Sequence, residues 1–228
     1  MDQITPRSDE RLLSMCVYCG GVPETRDHVP SKILLDDPFS DNTPVVGACR
    51  ECNQGFSLHE EYVACLLEAV IVGDTAPTSK MRSKVQKALE RGQLLAARIK
   101  NSSIEIEESI WWKPESERME IVIRKLAQGH AAFELSETVL GEPYHLDFRP
   151  FPLMNEGERS EFERMPEPSL WPEVGSRAMI QAATNLPGRI DPWRVIQPQR
   201  YRYALCWDSE IIIKIVMSEY LACEVRWN

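Results

Sequence analysis

Two Cys-x-x-Cys pairs constrain this chain more than any other feature: Cys16-Val-Tyr-Cys19 and, 30 positions on, Cys49-Arg-Glu-Cys52. Each pair can put two thiolates on one ion, and two such knuckles complete a tetrahedral site with no open coordination position. The pattern predicts a structural zinc ion on Cys16, Cys19, Cys49 and Cys52. Such an ion staples a segment rich in Cys, Gly, Pro and Asp that is too short to hold itself by apolar burial. The opening MDQITPRSDER has no apolar stretch of the secretory kind, so a reducing, cytoplasmic setting is expected and metal is favoured over disulfides. Cys65, Cys206 and Cys223 lie in apolar patterns and read as buried thiols. No apolar run approaches the roughly 20 residues of a membrane span, and the longest candidate is interrupted by Glu68. No membrane partner is expected.

Charge is unevenly spread. The 228 residues carry a formal net charge of −9. Residues 1–103 hold 12 Lys/Arg against 14 Asp/Glu, and residues 104–228 hold 14 against 21. General attraction to a polyanion is therefore excluded, and any nucleic-acid binding must come from local patches. The element pattern predicts an α+β chain in three parts: a zinc-stapled module at 1–72, a helical connector with a basic face at 73–103, and an α+β domain of mixed helix and antiparallel sheet at 104–228. Strands are expected at 15–18, 44–48, 104–106, 110–113, 132–135 and 144–148. Helices are expected from an N-cap at Ser57 with Glu60 three residues on, over 79–91, over 115–128 with Gly129 as the stop, and briefly near Arg159. Residues 201–207, 211–216 and 221–227 read as a β-meander.

Between and beside the knuckles stand Asp27-His28-Val29-Pro30, then Asn42, then Asn53 directly after the last cysteine. A hard divalent cation takes oxygen ligands and keeps most of its waters, so Asp27 and Asn53 can supply two ligands to Mg²⁺ or Mn²⁺. On a strand, His28 points away from Asp27 and is available as a general base. Asn42 can close the loop or orient the imidazole. The set suits activation of a water against a phosphodiester.

Cys-x-x-Cys, Asp-His-Val-Pro, a loop Asn and a second Cys-x-x-Cys-Asn together resemble the HNH endonucleases, which have the ββα-metal fold of the His-Me finger nucleases. The resemblance spans residues 14–63, about a fifth of the chain. It implies that His28 is the general base, that Asp27 and Asn53 hold one divalent metal, that Asn42 positions the base and that the four cysteines hold zinc. Phe56 stands where many such sequences carry Lys or Arg, and His59 reads as a solvated helix residue. Modules of this type resemble parts of phage-defence and restriction systems. A non-catalytic zinc-stapled binding module and an RNA-directed nuclease of the same chemistry are the alternatives.

Two basic segments can hold a substrate. Lys80, Lys84, Lys87 and Arg91 recur on one face of the expected helix at 79–91 and can track a DNA backbone. The stretch from Arg189 through Trp193, Arg194, Arg200 and Arg202 interleaves arginine with aromatics, as a base-stacking clamp or as a sheet edge whose aromatics pack inward. The acidic C-terminal half makes a regulatory protein partner or a homo-oligomer an expectation of this reading.

Overall fold

A computed structural model describes residues 15–41, 43–107, 109–167, 170–184 and 192–228. The chain is α+β. In order it forms β1 (Thr25–His28), a 3₁₀ turn (Lys32–Leu34), β2 (Val45–Ala48), α1 (Arg50–Val72), α2 (Ser83–Arg91), α3 (Gln93–Asn101), β3 (Ser103–Ile106) and β4 (Ser109–Trp112). There follow α4 (Ser116–Leu135), β5 (His145–Pro150), a 3₁₀ turn (Phe151–Leu153), α5 (Glu156–Glu163), α6 (Arg177–Thr184), β6 (Trp193–Gln197), β7 (Tyr201–Trp207), β8 (Ile211–Met217) and β9 (Leu221–Trp227). Two compact units emerge. One joins residues 1–54 to 123–228, and the other is residues 55–122. The sequence boundaries at 72 and 103 do not coincide with this division.

In the first unit, β1 and β2 pair antiparallel with Asp27 opposite Val46 and His28 opposite Val45. The expected strand at 15–18 is instead the turn of the first knuckle, docked on β2 by the Val17 amide donating to the Gly47 carbonyl at 3.0 Å. Helix α1 starts seven residues before the expected cap at Ser57. Its first amides are taken by side chains that cap it earlier: Arg50 N–H donates to Glu24 Oε2 at 3.2 Å and Cys52 N–H to Cys49 Sγ at 3.3 Å. Ser57 and Glu60 therefore lie within the helix, and Glu60 is buried.

The second half of this unit is a five-stranded antiparallel sheet ordered β5-β9-β8-β7-β6. β8 is buried at every position from Ile212 to Met217, as expected of a central strand covered on both faces. On one face, Tyr201 and Tyr203 of β7 meet His130 and Glu134 of α4. On the other, Phe151, Met154 and Phe162 pack with Val216 and Ala222. The Lys214 ammonium on that face donates to the Phe162 and Arg164 carbonyls at 2.9 and 2.8 Å, closing the C-terminus of α5. A capping box of Asn155 and Glu158 starts the same helix. The meander β7–β9 lies where the sequence places it.

Gly129 does not end a helix. α4 runs on to Leu135 and takes in residues 132–135, which sequence alone assigns to a strand. A Cβ on Gly129 would lie 2.6 Å from Val29 Cγ2, so the missing side chain lets α4 approach the segment after β1. The glycine serves close packing and not termination.

The second unit contains the body of α1, with α2, α3, the β3–β4 hairpin and the first turns of α4. α2 starts at Ser83, later than the expected residue 79, because Glu68 accepts from both the backbone N–H and Nε of Arg82 at 2.8 and 2.6 Å. Tyr62 accepts from the Glu115 amide at 2.7 Å and so ties α1 to the residues before α4. Among the described residues, no helix is long and apolar enough to cross a membrane.

Candidate metal centre and motif strand

Cys16, Cys19, Cys49 and Cys52 bring their sulfurs within 4.8 Å of one another and can hold a zinc ion. Around one zinc, sulfurs stand about 3.8 Å apart when each Zn–S bond is about 2.3 Å. The Cys19 and Cys49 sulfurs are 3.8 Å apart. The first knuckle is shaped by Gly20, whose φ of +75° lies in the left-handed region, and by the Gly21 amide donating to Cys19 Sγ at 3.4 Å. Burial first, and then the neighbouring thiols, push the Cys52 thiol well up. Four thiolates this close are compatible only with a cation among them. Among the described residues this is the one such cluster of three or more metal-ligating Cys, His, Asp or Glu side chains.

β1 separates the two motif residues by strand alternation: Asp27 is buried, and His28 is half-buried on the other side. Burial, then the Lys32 ammonium, holds the His28 imidazole below its ordinary value, while Asp27 pulls the other way and Lys125 adds to the lowering. Neutral imidazole is the form that accepts a proton. Asn53, in the first turn of α1, donates its side-chain amide to Thr25 Oγ1 at 3.0 Å and to the Arg26 carbonyl at 3.5 Å. The helix is thereby pinned to the strand that carries Asp27 and His28. Asn42 lies outside the described residues.

Sequence reasoning missed what Asp27 does. Its Oδ2 accepts from the Tyr18 hydroxyl at 2.6 Å and is paired with the Lys125 ammonium at 2.8 Å. The Lys125 side chain is 1% exposed and that of Asp27 is 7%. Lys125 also stands 5.9 Å from the centre of the Tyr18 ring. As folded, this carboxylate is paired with an ammonium through Oδ2. A divalent cation on either of its oxygens would stand within a few ångströms of that buried positive charge, so the arrangement does not favour Mg²⁺ or Mn²⁺ at Asp27 and Asn53 without rearrangement. No sequence signal links Lys125 to the motif. It enters the site through the helix that Gly129 lets approach.

The loop after the first 3₁₀ turn is held from the sheet. Gln197 accepts from the Asp36 amide at 2.8 Å and donates to the Asp36 carbonyl at 3.1 Å, and Arg200 Nε lies 3.0 Å from Asp36 Oδ2. The arginine–aromatic stretch is otherwise occupied within the fold. Arg194 is paired with buried Glu134 at 3.1 Å, and Arg202 with Glu163 and Glu219 at 2.7 and 2.8 Å, while Tyr201 and Tyr203 are buried. Arg189 lies outside the described residues. In the second unit, Lys84, Lys87 and Arg91 are on α2 and Lys80 precedes it. Lys80, Lys87 and Arg91 are exposed, whereas Lys84 is half-buried. His59 is half-buried on α1, and burial lowers its imidazole below the ordinary value.

No family model matches this chain, and no curated protein or solved structure matches it.

Proposed function

We propose that the chain is an HNH-type endonuclease that hydrolyses phosphodiester bonds of DNA, with His28 as the general base. The observation that carries the reading is the strand–strand–helix unit. It puts His28 on β1 paired to β2, and Asn53 at the start of α1, bonded back to β1. A half-buried imidazole kept neutral beside the positive charges of Lys32 and Lys125 can take a proton from water next to an anionic phosphodiester. The four-cysteine zinc holds the knuckle, and with it the first turn of α1, in place. The resemblance also implies Mg²⁺ or Mn²⁺ on Asp27 and Asn53, beside the ammonium of Lys125. Lys80, Lys84, Lys87 and Arg91 contact the DNA backbone in this reading. The acidic C-terminal half favours a protein partner or self-association, in a cytoplasmic, phage-defence or restriction setting.

The test is conversion of supercoiled plasmid to nicked or linear forms by the purified protein, beside a His28→Ala variant that retains its zinc. Loss of a general base costs on the order of 10²–10⁴-fold. Equal cleavage by the two proteins refutes the assignment. A second reading, a non-catalytic zinc-stapled binding module, is favoured by the Lys125–Asp27 pair, which gives the motif carboxylate a structural role. It predicts plasmid binding with no cleavage by either protein.

A further inference from the structure

We infer that Lys125 is the resident cation of the motif carboxylate, and that a divalent metal binds Asp27 only when the lysine is displaced. The inference rests on the pair itself and stands whether or not the chain cuts DNA. Two contacts converge on one oxygen, and the cation that makes one of them is buried. The Lys125 ammonium is 2.8 Å from Asp27 Oδ2, the Tyr18 hydroxyl donates to the same atom at 2.6 Å, and the lysine side chain is almost wholly shielded from water. An ion pair this buried is held because each partner would be uncompensated without the other. Moving this ammonium into solvent would leave the buried Asp27 carboxylate uncompensated, a cost that a surface lysine does not meet. Gly129, one turn further along the same helix, packs its bare Cα against Val29, two residues after Asp27. The lysine and the helix that carries it are thus fitted to the motif at two points.

A dication sharing this carboxylate would lie a few ångströms from the ammonium. Repulsion between one and two positive charges at that range exceeds thermal energy several-fold at the effective dielectric of a buried site. Lys125 is therefore a positioning residue that also excludes metal. It neutralises Asp27, ties β1 to α4, and sets a threshold that a metal must overcome.

The experiment uses the zinc-loaded full chain and titrates Mn²⁺ while following the free-ion paramagnetic resonance signal. Wild type is expected to bind Mn²⁺ no tighter than about 1 mM at Asp27. Lys125→Met is expected to gain one site at least ~10-fold tighter, because the competing charge is gone while the carboxylate remains. Asp27→Asn placed on top of Lys125→Met is expected to abolish that gain. Lys125→Arg, which keeps the charge, is expected to behave as wild type. A submillimolar Mn²⁺ site in wild type that Asp27→Asn removes overturns the inference, and this outcome needs no Lys125 variant to fold. A Lys125→Met protein that keeps its zinc and helical signal yet binds Mn²⁺ no better than wild type overturns it as well. Plasmid cleavage is read separately, so a protein that binds Mn²⁺ as described and never cuts DNA sinks the nuclease reading alone.

Discussion

Acidification should destabilise this protein in part through His130, the most deeply buried of its lowered imidazoles. The imidazole is wholly buried, 2.7 Å from the Tyr201 hydroxyl through Nε2 and stacked on Tyr203 with ring centres 3.7 Å apart. Burial, then Lys125 and Arg194, holds its pKa well below the ordinary value. Glu134, one turn on, is engaged by Tyr203 and Arg194. The folded state therefore keeps His130 neutral, while the unfolded chain takes up a proton below about pH 6.5. Stability is fully present above that pH and is lost as pH falls towards the depressed folded value. The loss approaches about 1.4 kcal/mol per pH unit, which between pH 7.5 and 5.0 amounts to about 2 kcal/mol. The assay is urea unfolding of the zinc-loaded protein at both pH values, beside a His130→Gln variant. The variant is less stable at pH 7.5 but should lose about 2 kcal/mol less than wild type on acidification. Because both proteins carry the same zinc site and carboxylates, their difference isolates the imidazole. Parallel losses would refute the assignment of a neutral buried His130.

The protein should bind one zinc per chain, and Cys49→Ser should release it to a colorimetric chelator. The same change should lower the melting temperature, since Cys49 belongs to the four-cysteine cluster and its sulfur also caps α1; retention of zinc at full stoichiometry would refute the four-cysteine site. Gly129→Ala should destabilise by about 1 kcal/mol or more in urea. The clash with Val29 at 2.6 Å belongs to the overpacking range of about 1–3 kcal/mol, which outweighs the gain of up to about 1 kcal/mol in helix propensity; a raised unfolding midpoint would contradict it. Arg202→Met should cost roughly 0.5–1.5 kcal/mol, because Glu163 and Glu219 lose their shared partner but, being partly exposed, can return to water; an unchanged midpoint would show those bonds to be energetically empty.

Much of this architecture is written in local patterns, and some of it is not. The knuckles, the alternation that buries Asp27 and turns His28 away, and the meander from Tyr201 to Trp227 follow from spacing and period, which act over a few residues. α1 was expected to start at Ser57 because Ser followed by Glu is a common cap. A cysteine sulfur and Glu24 do the capping instead, and neither is a usual cap. Gly129 reads as a stop because glycine lacks helix propensity, yet its reason is a neighbour far away in sequence. Helix α6 lies outside the elements that the sequence pattern predicts, whereas α3 falls within the helical connector and β6 within the stretch read as a clamp or a sheet edge. Lys125 shows the limit most clearly. Nothing near residue 125 marks it as a partner of residue 27, and only the packing of α4 brings the two charges together.

The discontinuity of the first unit has a consequence for how the chain is made. Residues 1–54 leave the ribosome with both knuckles complete, but the lysine paired with Asp27 and the glycine packed on Val29 lie on α4, which is translated later. At roughly 5–20 residues per second, the motif strand waits several seconds or more for its lysine. During that interval a zinc ion on the four cysteines would hold the hairpin and the start of α1 together. A nascent chain starved of zinc would offer β1 and Val29 to proteases and chaperones. A fragment cut at residue 72 would carry that exposed state permanently, whatever its motif.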